Sequence, residues 1–162
     1  MSEKYFSQIT ASKKKLSKGL IIEKSLLLIE DQGLENFSLR KLADVLDCKA
    51  MSIYNHFPNK AHIFDALVDH LLTGIAIPDK ATSDSDLSPQ QQLRKIAMHW
   101  REMARQHPNF YSYLCLHRLN SPTGLRFMDG VLNILNDSGL EAEKAARLFR
   151  VINYFLIGAG LD

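Results

Sequence analysis

The sequence predicts an all-α protein of 162 residues, in which a small helix-turn-helix domain precedes a larger helical body. Apolar residues recur at intervals of three and four through most of the chain, as they do on the buried face of a helix. No segment shows the alternation of apolar and polar residues that indicates a β-strand. Between residues 38 and 60, two short helical patterns are separated by so few residues that the helices must cross.

The composition, 46% hydrophobic and 23% charged, is typical of a globular chain with one or two compact domains. Five Lys and one acidic residue fall within residues 1–20, although the net charge of the chain is only +2. We therefore expect residues 1–17 to form a flexible basic arm that contacts phosphates.

The two cysteines, Cys48 and Cys115, lie far apart and lack the spacing of metal ligands. We expect reduced thiols and a cytoplasmic protein. The first residues do not resemble a secretory signal, and no stretch approaches the length of a membrane span, so we expect no membrane association.

The N-terminal domain is predicted to span residues 18–74 and to contain four helices. The first covers residues 18–32 and ends at Gly33. Ser38 caps the second helix, whose apolar face is Leu39, Leu42, Ala43 and Leu46. The third runs over residues 51–57 and is stopped by Pro58. Asn59 caps a fourth helix that ends at Gly74.

Residues 75–88 are rich in Pro, Asp, Ser and Thr and are predicted to form a linker loop. The second domain, residues 89–162, starts at Pro89. This proline occupies the first helical position and follows the cap residue Ser88. His107-Pro108 interrupts this helix, and Ser121-Pro122 starts another. A last helical pattern begins at Glu141, with a broad apolar surface, and is still unfinished at Asp162, so we expect a truncated C-terminus.

In a helix-turn-helix, the second helix of the motif enters the major groove and the flanking residues hold the DNA backbone. Ile53 and Phe57 are expected in the core. We predict that side chains at the N-terminus and in the first turn of this helix contact bases, and that residues on either side of the helix contact phosphates. The predicted DNA-binding residues are Ser38, Arg40, Lys49, Ala50, Met51, Ser52, Tyr54, Asn55, His56 and Lys60.

The stretch LRKLADVLDCKAMSIYNHFPNKAHIFDAL, preceded by a helix ending in Gly33, resembles the DNA-binding domain of the tetracycline-repressor (TetR) family of transcriptional regulators. Leu42-Ala43, Tyr54, His56-Phe57 and Asn59-Lys60 fall at the spacing of that family. Asp47 departs from it, since many members have glycine in this turn. The resemblance implies a homodimer in which each subunit has a small DNA-binding head on a larger helical body. The body binds an inducer, and this binding changes the distance between the two heads.

The helix order of residues 89–162 is similar to the ligand-binding body of the same family. An apolar or aromatic inducer would then contact mainly aromatic and large apolar side chains of this body. His117 lies five residues before Pro122, like a magnesium-binding histidine of the tetracycline-binding members, but no partner ligands can be placed, so we predict neither metal nor cofactor. The candidate ligand contacts are Trp100, Met103, Phe110, Tyr113, Leu114, His117 and Phe127.

These features predict a ligand-responsive transcriptional regulator, specifically a repressor, that binds a palindromic double-stranded operator as a homodimer paired through residues 141–162. The alternative is a helical protein-interaction module that binds no specific DNA sequence. An enzyme is not expected, because its only candidate residues, Cys115, His117 and His107, have no supporting carboxylates.

Overall fold

A computed structural model of the chain describes residues 15–75, 77 and 87–160. Most of the predicted basic arm and most of the predicted linker lie outside these residues. The described part of the chain contains eight α-helices and no strand. In chain order they are α1 (Lys18–Gln32), α2 (Leu39–Val45), α3 (Ala50–Tyr54), α4 (Lys60–Gly74), α5 (Pro89–Gln106), α6 (Pro108–Leu116), α7 (Pro122–Asp137) and α8 (Ala142–Ala159).

The predicted all-α class is confirmed, and the contacts divide the chain into two compact units between Leu67 and Val68, within α4. In the first unit α1 packs on α2, and α2 packs on α3. Gly33 ends α1 with a positive φ of 85°, and its amide donates to the carbonyl of Ile29 at 2.8 Å. Glycine adopts this conformation without steric strain, which explains why the helix stops there.

Two serines of the first unit are expected to affect stability in opposite directions. Ser25 in α1 is fully buried, and its hydroxyl has no hydrogen-bond partner among the described residues. Ser17 caps the same helix by accepting from the amide of Leu20 at 3.2 Å. We expect Ser25→Ala to raise the free energy of unfolding by about 1 kcal/mol, because it removes an unsatisfied buried hydroxyl. Ser17→Ala is expected to lower it by about 1 kcal/mol.

Urea unfolding of both variants and the wild-type chain measures this difference. A loss of stability in Ser25→Ala as large as that in Ser17→Ala would contradict the interpretation that the buried hydroxyl is unpaired.

In the second unit α5 packs on α6, α7 and α8, and α7 also packs on α8. Ser88 and Gln91 form a reciprocal capping box at the start of α5, and Pro89 follows the cap as predicted. Pro108 begins α6 rather than merely interrupting α5, because proline is well suited to the first helical position, where its missing amide is not needed. None of the described helices is long and apolar enough to cross a membrane.

The last helix, α8, is covered on one side only. Among its residues Ala145 alone is fully buried. Tyr154 and Phe155 are each 71% exposed, and Val151 is 63% exposed. These three residues, together with Leu148, form a surface that we call the α8 apolar face. Exposed aromatic and aliphatic side chains at this density are typical of a surface that pairs with another protein.

Candidate nucleic-acid interface

The turn between α2 and α3 is held by backbone hydrogen bonds at the end of α2. The amide of Cys48 donates to the carbonyl of Ala43 at 3.0 Å, and that of Asp47 donates to the carbonyl of Asp44 at 3.3 Å. Asp47 has a positive φ of 48°, the only such non-glycine residue among those described. Asp tolerates this left-handed conformation better than most residues, so the tight turn forms although glycine is absent.

Helix α3 is held by one buried side chain and presents the opposite side to solvent. Ile53 is fully buried and Phe57 is 5% exposed, as the sequence predicted. Met51 and Tyr54 are three residues apart, so they lie on one side of the helix. They are 70% and 46% exposed. Large side chains left in solvent on a short, well-anchored helix are available to contact the edges of bases.

The helix is shorter than predicted. It ends at Tyr54, and the amides of both His56 and Phe57 donate to the carbonyl of Ile53 at 2.9 Å. The chain is already in a turn at this point because the residue before Pro58 disfavours helical geometry. Asn55 and His56 therefore follow α3 rather than belong to it. Asn55 is exposed and His56 is half-buried.

The other predicted DNA contacts lie in α3, directly before it, or at the start of α2. Lys49 is the N-cap residue of α3, and its exposed side chain makes no capping hydrogen bond. Ala50 and Ser52 are half-buried. Ser38 caps α2 by accepting from the amide of Lys41 at 3.2 Å, and Arg40 is exposed in the first turn of that helix. A guanidinium in this position is suited to bind a phosphate.

Lys60 lies deeper than a surface phosphate contact would require. Its ammonium donates to the carbonyl of Phe37 at 3.1 Å. It also lies 5.3 Å from the ring centroid of Phe37 and 5.0 Å from that of Phe64. The side chain thus ties the start of α4 to the connection between α1 and α2, and it has two further N–H groups with which to reach DNA.

Replacing Lys60 is therefore expected to affect folding as well as DNA binding. We expect Lys60→Met to lower the free energy of unfolding by about 2 kcal/mol, because it removes a part-buried hydrogen bond and two cation–π contacts. Lys41→Met is the matched control, since the ammonium of Lys41 donates to the side chain of Gln32 at an exposed site. Chemical unfolding of both variants checks this expectation, and equal stabilities would contradict it.

One basic residue outside the predicted motif lies near its end. The ammonium of Lys18, at the start of α1, lies 5.8 Å from the ring centroid of Phe57. More than thirty positions separate these residues, so helical spacing does not connect Lys18 with the helix-turn-helix. The structure places its charge beside the end of that motif.

The candidate ligand contacts fall into two groups. Five of them fill the core of the second unit and are less than 9% exposed: Trp100, Met103, Phe110, Leu114 and Phe127. Tyr113 and His117 are half-buried and lie beside each other, with ring centroids 5.4 Å apart. Trp100 and Phe127 also form a ring pair at 5.9 Å. Tyr113 also pairs with Phe110 at 5.3 Å, so the aromatic candidates form three ring pairs within one unit.

Two candidate catalytic side chains of the second unit, Cys115 and His107, have pKa values that burial shifts. Burial raises the pKa of the Cys115 thiol, so the thiolate is disfavoured at neutral pH. Burial, and secondarily the charge of His70, lowers the pKa of His107. Among the described residues, no group of three His, Cys, Asp or Glu side chains has the arrangement of a metal site.

Two family models match the chain in succession. Residues 21–67 match "Bacterial regulatory proteins, tetR family" and residues 84–162 match "Tetracyclin repressor-like, C-terminal domain". The chain belongs to the TetR family. The first of these matches covers most of α1, all of α2 and α3, and the first half of α4, and the second covers all of the helices from α5 onwards.

Characterised TetR relatives cover most of the chain. The tetracycline repressor protein class C of Escherichia coli is 29% identical over 153 residues, which are 91% of this chain and 66% of the relative. The HTH-type transcriptional repressor DrrR1 of Streptomyces coeruleorubidus is 23% identical over 86% of this chain and 50% of its own length. The chain thus spans about half to two thirds of the length of these two repressors.

Solved structures show the same fold. ActR of Streptomyces coelicolor in complex with actinorhodin superposes with a TM-score of 0.77 at 24% identity, covering 91% of this chain and 69% of ActR. BioQ with its double-stranded DNA operator gives a TM-score of 0.75 at 20% identity, covering 91% of this chain and 87% of BioQ. Both of the relatives described above are named as repressors, and DrrR1 is a transcriptional repressor.

Proposed function

We propose that this chain is a ligand-responsive transcriptional repressor that binds a palindromic operator as a homodimer in the cytoplasm. The observation that carries the proposal is the geometry of α3. Ile53 and Phe57 fix this helix to the first unit, while Met51 and Tyr54 remain in solvent. A helix held in this way can enter the major groove without losing contacts that stabilise the domain.

The predicted DNA contacts would divide into two classes. Lys49, Met51 and Tyr54 stand on or directly before α3 and would meet base edges, where an ammonium donates to guanine and an apolar group meets a thymine methyl. Arg40 and Lys60 would bind phosphates, which position the head without reading sequence. BioQ, which shares the fold, has been solved with its operator, which supports this use of the head.

Homodimerisation would follow from the α8 apolar face. A surface of this kind is stabilised when an identical copy covers it, because a two-fold axis brings the same side chains together from both subunits. Two heads would then reach half-sites about 34–36 Å apart, one turn of DNA. A single head would make too few contacts to hold an operator at low concentration.

The inducer would be an apolar or aromatic small molecule bound among the core residues of the second unit. ActR has been solved with actinorhodin, and TetR from Acinetobacter baumannii with minocycline. Because the five core candidates are buried, an inducer must replace their mutual packing, and Trp100 and Phe127 would stack on it. Binding would favour a wider spacing of the heads and so lower operator affinity.

Selection of bound duplexes from a random pool tests the proposed function. We expect enrichment of a palindrome whose half-sites are one helical turn apart. Enrichment of no sequence, together with binding that does not weaken as salt is raised, would favour a protein-interaction module instead. A panel of aromatic and cationic compounds, tested for release of the selected duplex, would then identify the inducer class.

A further inference from the structure

The hydroxyl of Tyr111 joins three helices of the second unit. Tyr111, in α6, is 1% exposed. Its hydroxyl accepts a hydrogen bond from Nε1 of Trp100, in α5, at 3.0 Å. The same hydroxyl donates to the carbonyl of Leu156 at 2.9 Å and lies 3.3 Å from the carbonyl of Ile157, both in α8. A single buried polar group therefore connects α5 and α6 to the end of α8.

The chain approaches this hydroxyl closely at Gly160, the C-cap residue of α8. A Cβ atom at Gly160 would collide with the hydroxyl and ring of Tyr111. The amide of Gly160 donates to the carbonyls of Leu156 and Ile157 at 3.2 and 3.3 Å. Carbonyls in the last turn of a helix lack a full set of helical partners, and the Tyr111 hydroxyl supplies an additional one.

The contacts of the Tyr111 hydroxyl lie in the C-terminal half of α8, as do three of the four residues of the α8 apolar face. Val151, Tyr154 and Phe155 are exposed within the ten residues that precede Gly160. Ala145 is the only fully buried residue of this helix, so the contacts of the Tyr111 hydroxyl add to the packing of α8 on α5 and α7 in fixing its end. Burial raises the pKa of Tyr111 to about 12, so the hydroxyl keeps its proton at neutral pH and remains a donor.

We propose that Tyr111 is the positioning residue for subunit pairing: its hydroxyl fixes the C-terminal half of α8 and thereby holds the α8 apolar face in the geometry that pairs with a second copy. This inference rests on the proposed homodimer. Tyr111 does not itself belong to the α8 apolar face, but it holds the residues of that face in place. Without the hydroxyl, each subunit must order the end of α8 when it pairs.

The test compares Tyr111→Phe with a matched control, Ser138→Ala. Tyr111→Phe keeps the ring and removes the hydroxyl. Ser138→Ala also removes a hydroxyl that donates to a carbonyl at a helix end, that of Leu135 at 2.6 Å, but this bond is local to α7. Sedimentation gives the dimer dissociation constant, and hydrogen exchange gives the protection of residues 150–160.

We expect Tyr111→Phe to raise the dimer dissociation constant about tenfold, because each of the two subunits must then order the end of its α8 when it pairs. The same variant should lose protection over residues 150–160, whereas Ser138→Ala should change neither quantity. Trp100 is the only tryptophan of the chain, so the loss of its acceptor should also shift its fluorescence emission. Gly160→Ala, which displaces the Tyr111 hydroxyl by steric contact, is a second variant expected to weaken pairing.

The outcomes separate the two proposals. A wild-type chain that stays monomeric overturns the homodimer and, with it, the role of Tyr111. A dimeric wild type, with Tyr111→Phe and Gly160→Ala pairing equally well, overturns only the role of Tyr111. An equal loss of pairing in Ser138→Ala also overturns it, because the effect would then be one of general stability.

Discussion

Replacing Phe155 with Glu is expected to convert the chain from a dimer to a monomer at micromolar concentration. Phe155 is 71% exposed in the single chain, so the substitution removes few contacts within the subunit. In the proposed dimer it would place a carboxylate from each copy in an apolar interface. We expect the dimer dissociation constant to rise about a thousandfold, since two central aromatic contacts are lost and two charges are desolvated.

Sedimentation across a concentration series measures this change, and circular dichroism shows whether the helices are retained. Leu116→Glu is the matched control, because Leu116 is 87% exposed but lies at the end of α6. We expect Leu116→Glu to remain dimeric. Two equally dimeric variants would contradict pairing through α8, and two equally monomeric ones would show that any added carboxylate disrupts the assembly.

The second large effect is expected at Lys49. Lys49 is exposed directly before α3, so in the proposed complex its ammonium would meet base edges. Lys49→Ala should weaken binding to the selected operator by about 1–3 kcal/mol for each half-site and relax the base preference at the contacted position. Loss of a phosphate contact, by contrast, weakens binding to all sequences about equally.

Repeating the duplex selection with Lys49→Ala, and measuring affinity for the wild-type operator, checks this prediction. Lys41→Ala serves as a control, because it removes another exposed lysine of the same unit whose ammonium bonds to Gln32. An unchanged base preference in Lys49→Ala, with affinity reduced only as much as in Lys41→Ala, would assign Lys49 to the phosphate backbone instead.

Most of the fold can be predicted from the sequence because the helix ends carry local signals. Gly33, Ser38 and Pro122 act through the geometry of their own backbone or through bonds to residues three or four positions away. Ser38 and Ser121 each accept a hydrogen bond from the amide three residues later, as their cap positions imply. Such signals can be interpreted without knowledge of the tertiary structure.

Contacts between distant residues cannot be predicted in this way. Lys60 has the spacing of a DNA contact, yet its ammonium reaches the carbonyl of Phe37, twenty-three positions away. Tyr111 is one of several aromatic residues in its segment, and nothing in its spacing indicates that its hydroxyl connects Trp100 to the end of α8. These roles depend on which helices pack together, and helical periodicity shows only that a face is buried.

The proposed function requires two copies of the chain to bind one palindromic operator. This requirement is tested by comparing the affinity of the chain for a duplex with two intact half-sites and for a duplex with only one. The affinity of the chain for its selected duplex, and for the same duplex with one half-site scrambled, is measured over a range of salt concentrations together with the number of chains bound. We predict two chains on the intact duplex, an affinity at least about a hundredfold lower on the scrambled one, and a steep loss of affinity with salt on both. Equal affinity for the two duplexes, with one chain bound to each, would contradict a dimer that reads a palindrome.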